Sequence, residues 1–218
     1  MSRPGPRPAG AETAGQAPFV AVVDDDPGVR DALDGLFRSM GLATRLFGSP
    51  AELDEASLPD APGCLILDVR LPGINGLDFQ AQLARGGFEL PIVFMTGHGD
   101  IPMTVRAMKA GAVDFLAKPF RDQDMLDAVT AAIARDRARR RDAQARHGLR
   151  AAYETLTQRE REVMAHVVAG LMNKQVASLI GLSEITVKIH RGHVMRKMGV
   201  RSLADLVRKA EALGVARA

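Results

Sequence analysis

Five short stretches, far apart in the chain, set ionisable or switch-like side chains at or just after apolar runs: Asp24-Asp25, Asp68, Thr96, Phe115 and Lys118-Pro119. If those runs are parallel strands of one sheet, their carboxyl ends converge on one crevice, where open α/β sheets bind ligands. Three carboxylates would then lie beside a hydroxyl and an ammonium. Mg²⁺ accepts one or two carboxylates and keeps several waters for itself or for phosphate, so Asp25 and Asp68 would hold it directly and Asp24 through water. An uncoordinated oxygen of Asp68 is then a nucleophile for a phosphoryl group, with the metal and the Lys118 ammonium neutralising charge on the equatorial oxygens. A single aspartate after a strand more simply begins a turn or caps a helix. The combination with Lys118, whose backbone Pro119 restricts, is what points to phosphoryl chemistry.

The elements that must position these residues are legible in the pattern. Phe19–Val23 is a continuous apolar run that stops at three aspartates, as a strand buried on both faces would. After Pro27, residues Val29, Leu33, Leu36, Phe37 and Met40 recur at helical spacing and Gly41 follows, which predicts a helix with a Pro start and a Gly stop. The alternation continues with strands predicted at 43–47, 64–67, 92–95 and 115–117. Helices are predicted near 51–56, 76–85, 101–110 and from 122 onward. Five βα units predict an α/β fold, a doubly wound parallel sheet with helices on both faces.

Charge divides the chain. Residues 19–122 carry 9 basic and 15 acidic side chains, whereas 123–218 carry 18 basic and 10 acidic, so the second part is the one suited to nucleic acid. No apolar run approaches the roughly 18 residues that span a bilayer. Residues 1–18, rich in Pro, Gly and Ala without an apolar centre, predict a disordered tail rather than a secretion signal. The lone Cys64, inside Cys64-Leu65-Ile66-Leu67, reads as a small buried hydrophobe. A soluble, cytoplasmic protein is expected.

Beyond the first domain, Met125, Val129 and Ile133 continue a helix, and 136–146 is almost wholly Ala, Arg, Asp and Gln. Those residues favour helix, so a semi-rigid helical linker over 135–153 is expected, with Gly148 its weak point. Residues 154–218 read as four short helices. Thr157-Gln158-Arg159-Glu160 is a capping box for the first and Gly170 closes it; Asn173–Ile180 is the second, ending at Gly181; Ser183 caps a third reaching Met198; Ser202 caps a fourth. The second and third, joined by Gly181-Leu182-Ser183, form a helix-turn-helix whose latter helix would enter the major groove.

Projected at roughly 100° per residue, Val187, Val194 and Met198 fall on the packing face of that helix, with Arg191 near its edge. Lys188, Ile189, Gly192 and Arg196 fall on the free face. Lys188 can donate to guanine and Ile189 can pack against a thymine methyl. Arg196, Lys197, Arg191 and Lys174 suit phosphates, which give affinity without reading sequence. The basic run 137–141 is more simply a solvated face than a phosphate contact. His190 and His193 stand three apart, but with no acidic or Cys ligand near them in sequence they do not predict a metal site.

Taken as motifs, Val22-Val23-Asp24-Asp25-Asp26, Leu67-Asp68-Val69-Arg70-Leu71-Pro72-Gly73, Met95-Thr96-Gly97-His98-Gly99-Asp100 and Ala117-Lys118-Pro119-Phe120 resemble the receiver domain of two-component response regulators over residues 19–134. The wording of 96–100 and of 108–115 is most similar to the FixJ branch. Residues 156–163 and Thr186-Val187-Lys188-Ile189-His190-Arg191 resemble the LuxR-type DNA-binding domain. The resemblance implies a flavodoxin-like (βα)5 receiver followed by an all-α four-helix domain. It implies that Asp68 is the phosphoacceptor, fed by a phosphohistidine on a sensor histidine kinase. Asp24, Asp25 and the backbone carbonyl of Arg70 would hold Mg²⁺ with Asp68. Thr96 would bond the new phosphoryl group and move, Phe115 would rotate inward, and Lys118 would pair with the phosphoryl.

On the DNA side the expected contacts are Lys174, Thr186, Lys188, Ile189, Arg191, Gly192, Arg196 and Lys197, and the resemblance implies that the last helix is a dimer contact. Gly192 departs from relatives that place a contacting side chain there. The expected function is that of a FixJ/NarL-type regulator, which dimerises through the face near 101–110 and Phe115 when phosphorylated. It would bind promoter DNA and activate transcription, with RNA polymerase as partner. It would not be a turnover enzyme. Two readings compete. An aspartate-nucleophile phosphohydrolase would want an acid two residues after Asp68, where Arg70 stands. A phosphorylation-independent DNA-binding regulator would use its receiver only to dimerise.

Overall fold

The computed structural model describes residues 17–97 and 100–215, so the tail expected over 1–18 lies almost wholly outside the described residues. The chain forms two compact units, divided between Arg140 and Arg141. Among the described residues no helix is long and apolar enough to cross a membrane.

The first unit runs β1 (Phe19–Val23), α1 (Pro27–Ser39), β2 (Ala43–Phe47), α2 (Pro50–Asp54), β3 (Gly63–Asp68), β4 (Arg70–Leu71), β5 (Ile74–Asn75), α3 (Gly76–Arg85), β6 (Ile92–Thr96), α4 (Ile101–Lys109), β7 (Asp114–Ala117) and the start of α5 (Asp122–Glu154). The five long strands form a parallel sheet in the order β2-β1-β3-β6-β7. This is the doubly wound arrangement that the alternation predicted. The small antiparallel ribbon β4-β5 was not foreseen. Its turn, Leu71-Pro72-Gly73-Ile74, has Pro at the second position and Gly73 at φ +84° in the third, the requirement of a type II turn.

Because successive strand residues face opposite ways, each strand feeds two cores. Val20, Val22, Cys64, Ile66, Val93 and Met95 meet Leu33 and Phe37 of α1 and Met125, Val129 and Ile133 of α5. On the other face Ala21, Val23, Leu65, Leu67 and Phe94 meet Phe79 and Leu83 of α3 and Ala107 of α4. Cys64 is fully buried, as expected, and desolvation with the nearby Asp136 charge pushes its thiol up to about 12, so it is a packing residue.

Helix α5 continues through Gly148 to Glu154, 33 residues in all, so the linker is helical. The packing of the first unit reaches further along it than composition suggested. Asp136 is wholly buried and accepts from Gly63 N (3.0 Å), Arg139 Nε (2.9 Å) and Arg140 Nε (2.8 Å). Arg139 also pairs with Glu89, and Arg140 with Asp60 at 2.6 Å. Burial works to raise the Asp136 carboxyl, but the two guanidiniums outweigh it and hold the group below its ordinary range. Arg139 and Arg140, in the run 137–141, are therefore engaged within the first unit.

The second unit contains α6 (Gln158–Val168), α7 (Asn173–Ile180), α8 (Glu184–Lys197) and α9 (Leu203–Ala212). The four predicted helices are present with their predicted punctuation. Thr157 Oγ1 accepts from Glu160 N at 3.3 Å while Glu160 Oε2 accepts from Thr157 N at 2.8 Å, a complete capping box. Gly181 closes α7 in the left-handed region and Ser183 caps α8. Val163, Met164, Val176, Val187, Val194, Met198 and Leu206 make the core.

Candidate functional sites

In the first unit, parallel register brings the chemistry together. Val23 lies beside Leu67, Asp68 beside Met95, and Thr96 beside Ala117, so the strand ends are level. Asp24 follows β1, Asp68 ends β3, Thr96 ends β6 and Lys118 follows β7. The Lys118 Nζ donates to Asp24 Oδ2 at 2.7 Å and to Asp68 Oδ2 at 2.6 Å. The remaining oxygens are also placed: Asp24 Oδ1 accepts from Asp26 N and Asp68 Oδ1 from Arg70 N, each at 2.9 Å. Backbone tethers hold the carboxylates, and Lys118 N itself donates to Thr96 O at 2.7 Å. The Lys118-Pro119 bond is cis.

Asp24, Asp68 and Thr96 are buried, and Asp25 is exposed. One oxygen from each of Asp24, Asp25 and Asp68 lies within 4.8 Å of the others, an all-oxygen donor set that fits a hard divalent cation. Burial raises the Asp24 carboxyl, and the Lys118 bond only partly offsets it. Burial would lower Lys118, but its bonds to Asp24 and Asp68 outweigh that and raise it. The ammonium thus occupies the centre of an acidic crevice, where it screens two buried carboxylates from each other.

Phe115 is half-buried on β7, its ring 6.1 Å from that of Phe94 and tilted by 41°. One residue was missed by the sequence reading. A Cβ on Gly76, at the start of α3, would lie 2.4 Å from Asp68 O and 2.9 Å from the Val69 Cα, so only glycine allows the chain after β3 to close this tightly. A glycine at a first helical position was the available signal.

In the second unit, Val187, Val194 and Met198 are buried, whereas Lys188, Ile189, Gly192 and Arg196 are exposed, as the projection predicted. Lys174 is exposed on α7. Open space surrounds Gly192. Arg191 is half-buried and donates to Asn173 Oδ1 at 3.2 Å, and the Thr186 hydroxyl shares a 2.8 Å bond with Ser183. Ile185 was overlooked. It is 74% exposed, one turn before Ile189 on the same stripe, so the helical projection already contained it.

Lys197 departs from the expectation of a phosphate contact. Its ammonium donates to Glu160 Oε2 at 2.6 Å and to Thr155 O at 3.0 Å, so it braces α8 against α6. The pair holds the Glu160 carboxylate, in which burial raises and Lys197 lowers, down to about 2. The premise that no acid lies near His190 and His193 is also corrected: Glu160, thirty residues away in sequence, is brought against both.

Comparison with known proteins agrees with both halves. The family described as "Response regulator receiver domain" matches residues 20–130, and "Bacterial regulatory proteins, luxR family" matches residues 154–210. Nodulation protein W of Bradyrhizobium diazoefficiens is 59% identical over 197 residues, which are 90% of this chain and 87% of that protein. Among solved structures, the response regulator StyR is 46% identical with a TM-score of 0.82, covering 90% of this chain and 99% of that one. Full-length FixJ from B. japonicum is 37% identical with a TM-score of 0.54, covering 93% and 100%.

Proposed function

Because this chain belongs to the two-component response regulators that join a receiver to a LuxR-type helix-turn-helix domain, we propose that Asp68 is its phosphoacceptor. Phosphorylation-dependent control of transcription is the work of such a protein, and its receiver acts chemically only on its own phosphoryl group. The observation that supports Asp68 most directly is the double ion pair of Lys118 with Asp24 and Asp68 beside the three-carboxylate cluster. An Asp68 oxygen forms the new O–P bond as the N–P bond of a kinase phosphohistidine breaks, and the imidazole leaves with that electron pair. Asp24, Asp25, Asp68 and the backbone carbonyl of Arg70 would hold Mg²⁺, which supplies charge neutralisation at the phosphoryl oxygens.

Once a dianion sits on Asp68, Lys118 gains a stronger partner than the free carboxylate, and the Thr96 hydroxyl donates to a phosphoryl oxygen. Movement of Thr96 opens room for Phe115 to turn inward. The surface altered is that of α4, β7 and α5, where Ile101, Val105 and Met108 are exposed apolar side chains. Pairing of receivers through this face would bring two helix-turn-helix domains to a two-part promoter site, with α9 as a second contact. Lys188, Ile189 and Ile185 face the bases beside Gly192, while Arg196, Arg191 and Lys174 meet phosphates and Thr186 lies at the helix start. The expected output is activation through RNA polymerase.

Light scattering after size exclusion, with Mg²⁺ and acetyl phosphate, tests this. The mass of the wild type should double and that of Asp68→Asn should not. A doubling in both proteins, or an added phosphoryl group retained by the variant, would remove Asp68 from the role.

A further inference from the structure

We propose that Glu160, His190 and His193 form a second metal site, in the DNA-binding unit, for Zn²⁺ or a cation of the same borderline class. One ligand atom from each residue lies within 4.8 Å of the other two. The two histidines are three residues apart on α8, so they project to the same side of a rigid helix, and Glu160 meets them from α6. Its two oxygens are divided between tasks. Oε2 accepts from Thr157 N and from Lys197, whereas Oε1 lies 3.4 Å from His193 Nδ1. The oxygen toward the imidazole is thus the one not engaged in the capping box.

A second observation is independent of the cluster's geometry. The Nδ1 atom of His190 is buried and has no hydrogen-bond partner among the described residues, a condition that a bound water or cation would relieve. Two imidazoles and one carboxylate are a donor set that holds Zn²⁺ with a fourth position for water. They differ in kind from the all-oxygen cluster of the receiver, which suits Mg²⁺. The ammonium of Lys197 opposes a second positive charge nearby and weakens the site relative to the same three ligands alone.

A cation here would fasten α8 to α6. None of the three ligands is Lys188, Ile189 or Gly192, so DNA and metal draw on different atoms even though His193 follows Ile189 by one turn of α8.

The test is calorimetric titration of Zn²⁺ into the full-length protein with Mg²⁺ in large excess, so that the receiver carboxylates are already occupied. Wild type and Asp68→Asn should each bind one equivalent, and His193→Asn should lose it. Co²⁺ added to the wild type reads the same site without any substitution. Intense visible bands of a low-coordinate nitrogen-containing site are expected, whereas the faint spectrum of an octahedral oxygen site would overturn the proposal. So would undiminished Zn²⁺ binding by His193→Asn, or no binding by the wild type.

Discussion

Lys118 makes two ion pairs at once, and it stands where a divalent cation would bring its own charge. Two roles for one ammonium lead to opposite effects of removing it. In Lys118→Met the crevice loses a competing cation, so Mg²⁺ affinity should rise, measurable by titration. The phosphorylated state loses its charge-assisted partner, so dimerisation driven by acetyl phosphate should fall. A variant that loses both together would indicate a collapsed pocket instead. On α8 the residues also separate by role. Lys188→Ala should cost about 1–3 kcal/mol and relax preference at one base pair. Lys174→Ala should weaken all sequences alike and reduce the slope of log affinity against log salt by about one. Fluorescence anisotropy over a salt series on selected and scrambled duplexes distinguishes them.

Elements explain why those residues are held. Strands β1, β3, β6 and β7 end level because their registers are parallel, and Gly76 lets the chain after β3 close without a clash against Asp68 O. In the second unit one carboxylate links three functions: Glu160 completes the cap of α6, pairs with Lys197 of α8, and faces His193. Its pKa is depressed in the folded state from an ordinary 4.5 to about 2. A depressed carboxylate contributes stability that is fully present above its unfolded value and is lost as pH falls through the folded one. Stability of this unit should therefore decline as pH drops from 4.5 toward 2, followed by urea unfolding of the full chain. Glu160→Gln should be less stable at neutral pH and flatter across that window; an unchanged pH slope would mean that Glu160 is not the group responsible. Asp136, held low by Arg139 and Arg140, adds a dependence of the same sign in the first unit.

For the whole molecule, the acidic part receives the signal and the basic part meets DNA, with α5 continuous from one to the other. A dimer gains on a two-part site because the second contact becomes intramolecular. Acetyl phosphate should therefore tighten binding to a two-part duplex and leave an isolated half-site unchanged, measured by anisotropy on both. Equal tightening on the half-site would mean that phosphorylation releases the DNA-binding domain within one chain, and receiver pairing would not be the switch.

Asp24, Asp68, Thr96 and Lys118 were legible in the sequence because each follows a short apolar run, and the end of a buried strand is a local pattern. The four helices of the second unit were legible for a similar reason, since Thr157, Gly181, Ser183 and Ser202 act within a few residues of themselves. What local pattern did not carry was contact between distant segments. Asp136 looked like linker until the fold set it against Gly63, 73 residues earlier. Lys197 looked like a phosphate contact, and His190 and His193 looked ligand-poor, until α6 packed on α8 and brought Glu160 to all three. Periodicity tells which side of a helix is apolar, but which charged partner waits beyond it depends on how the helices pack.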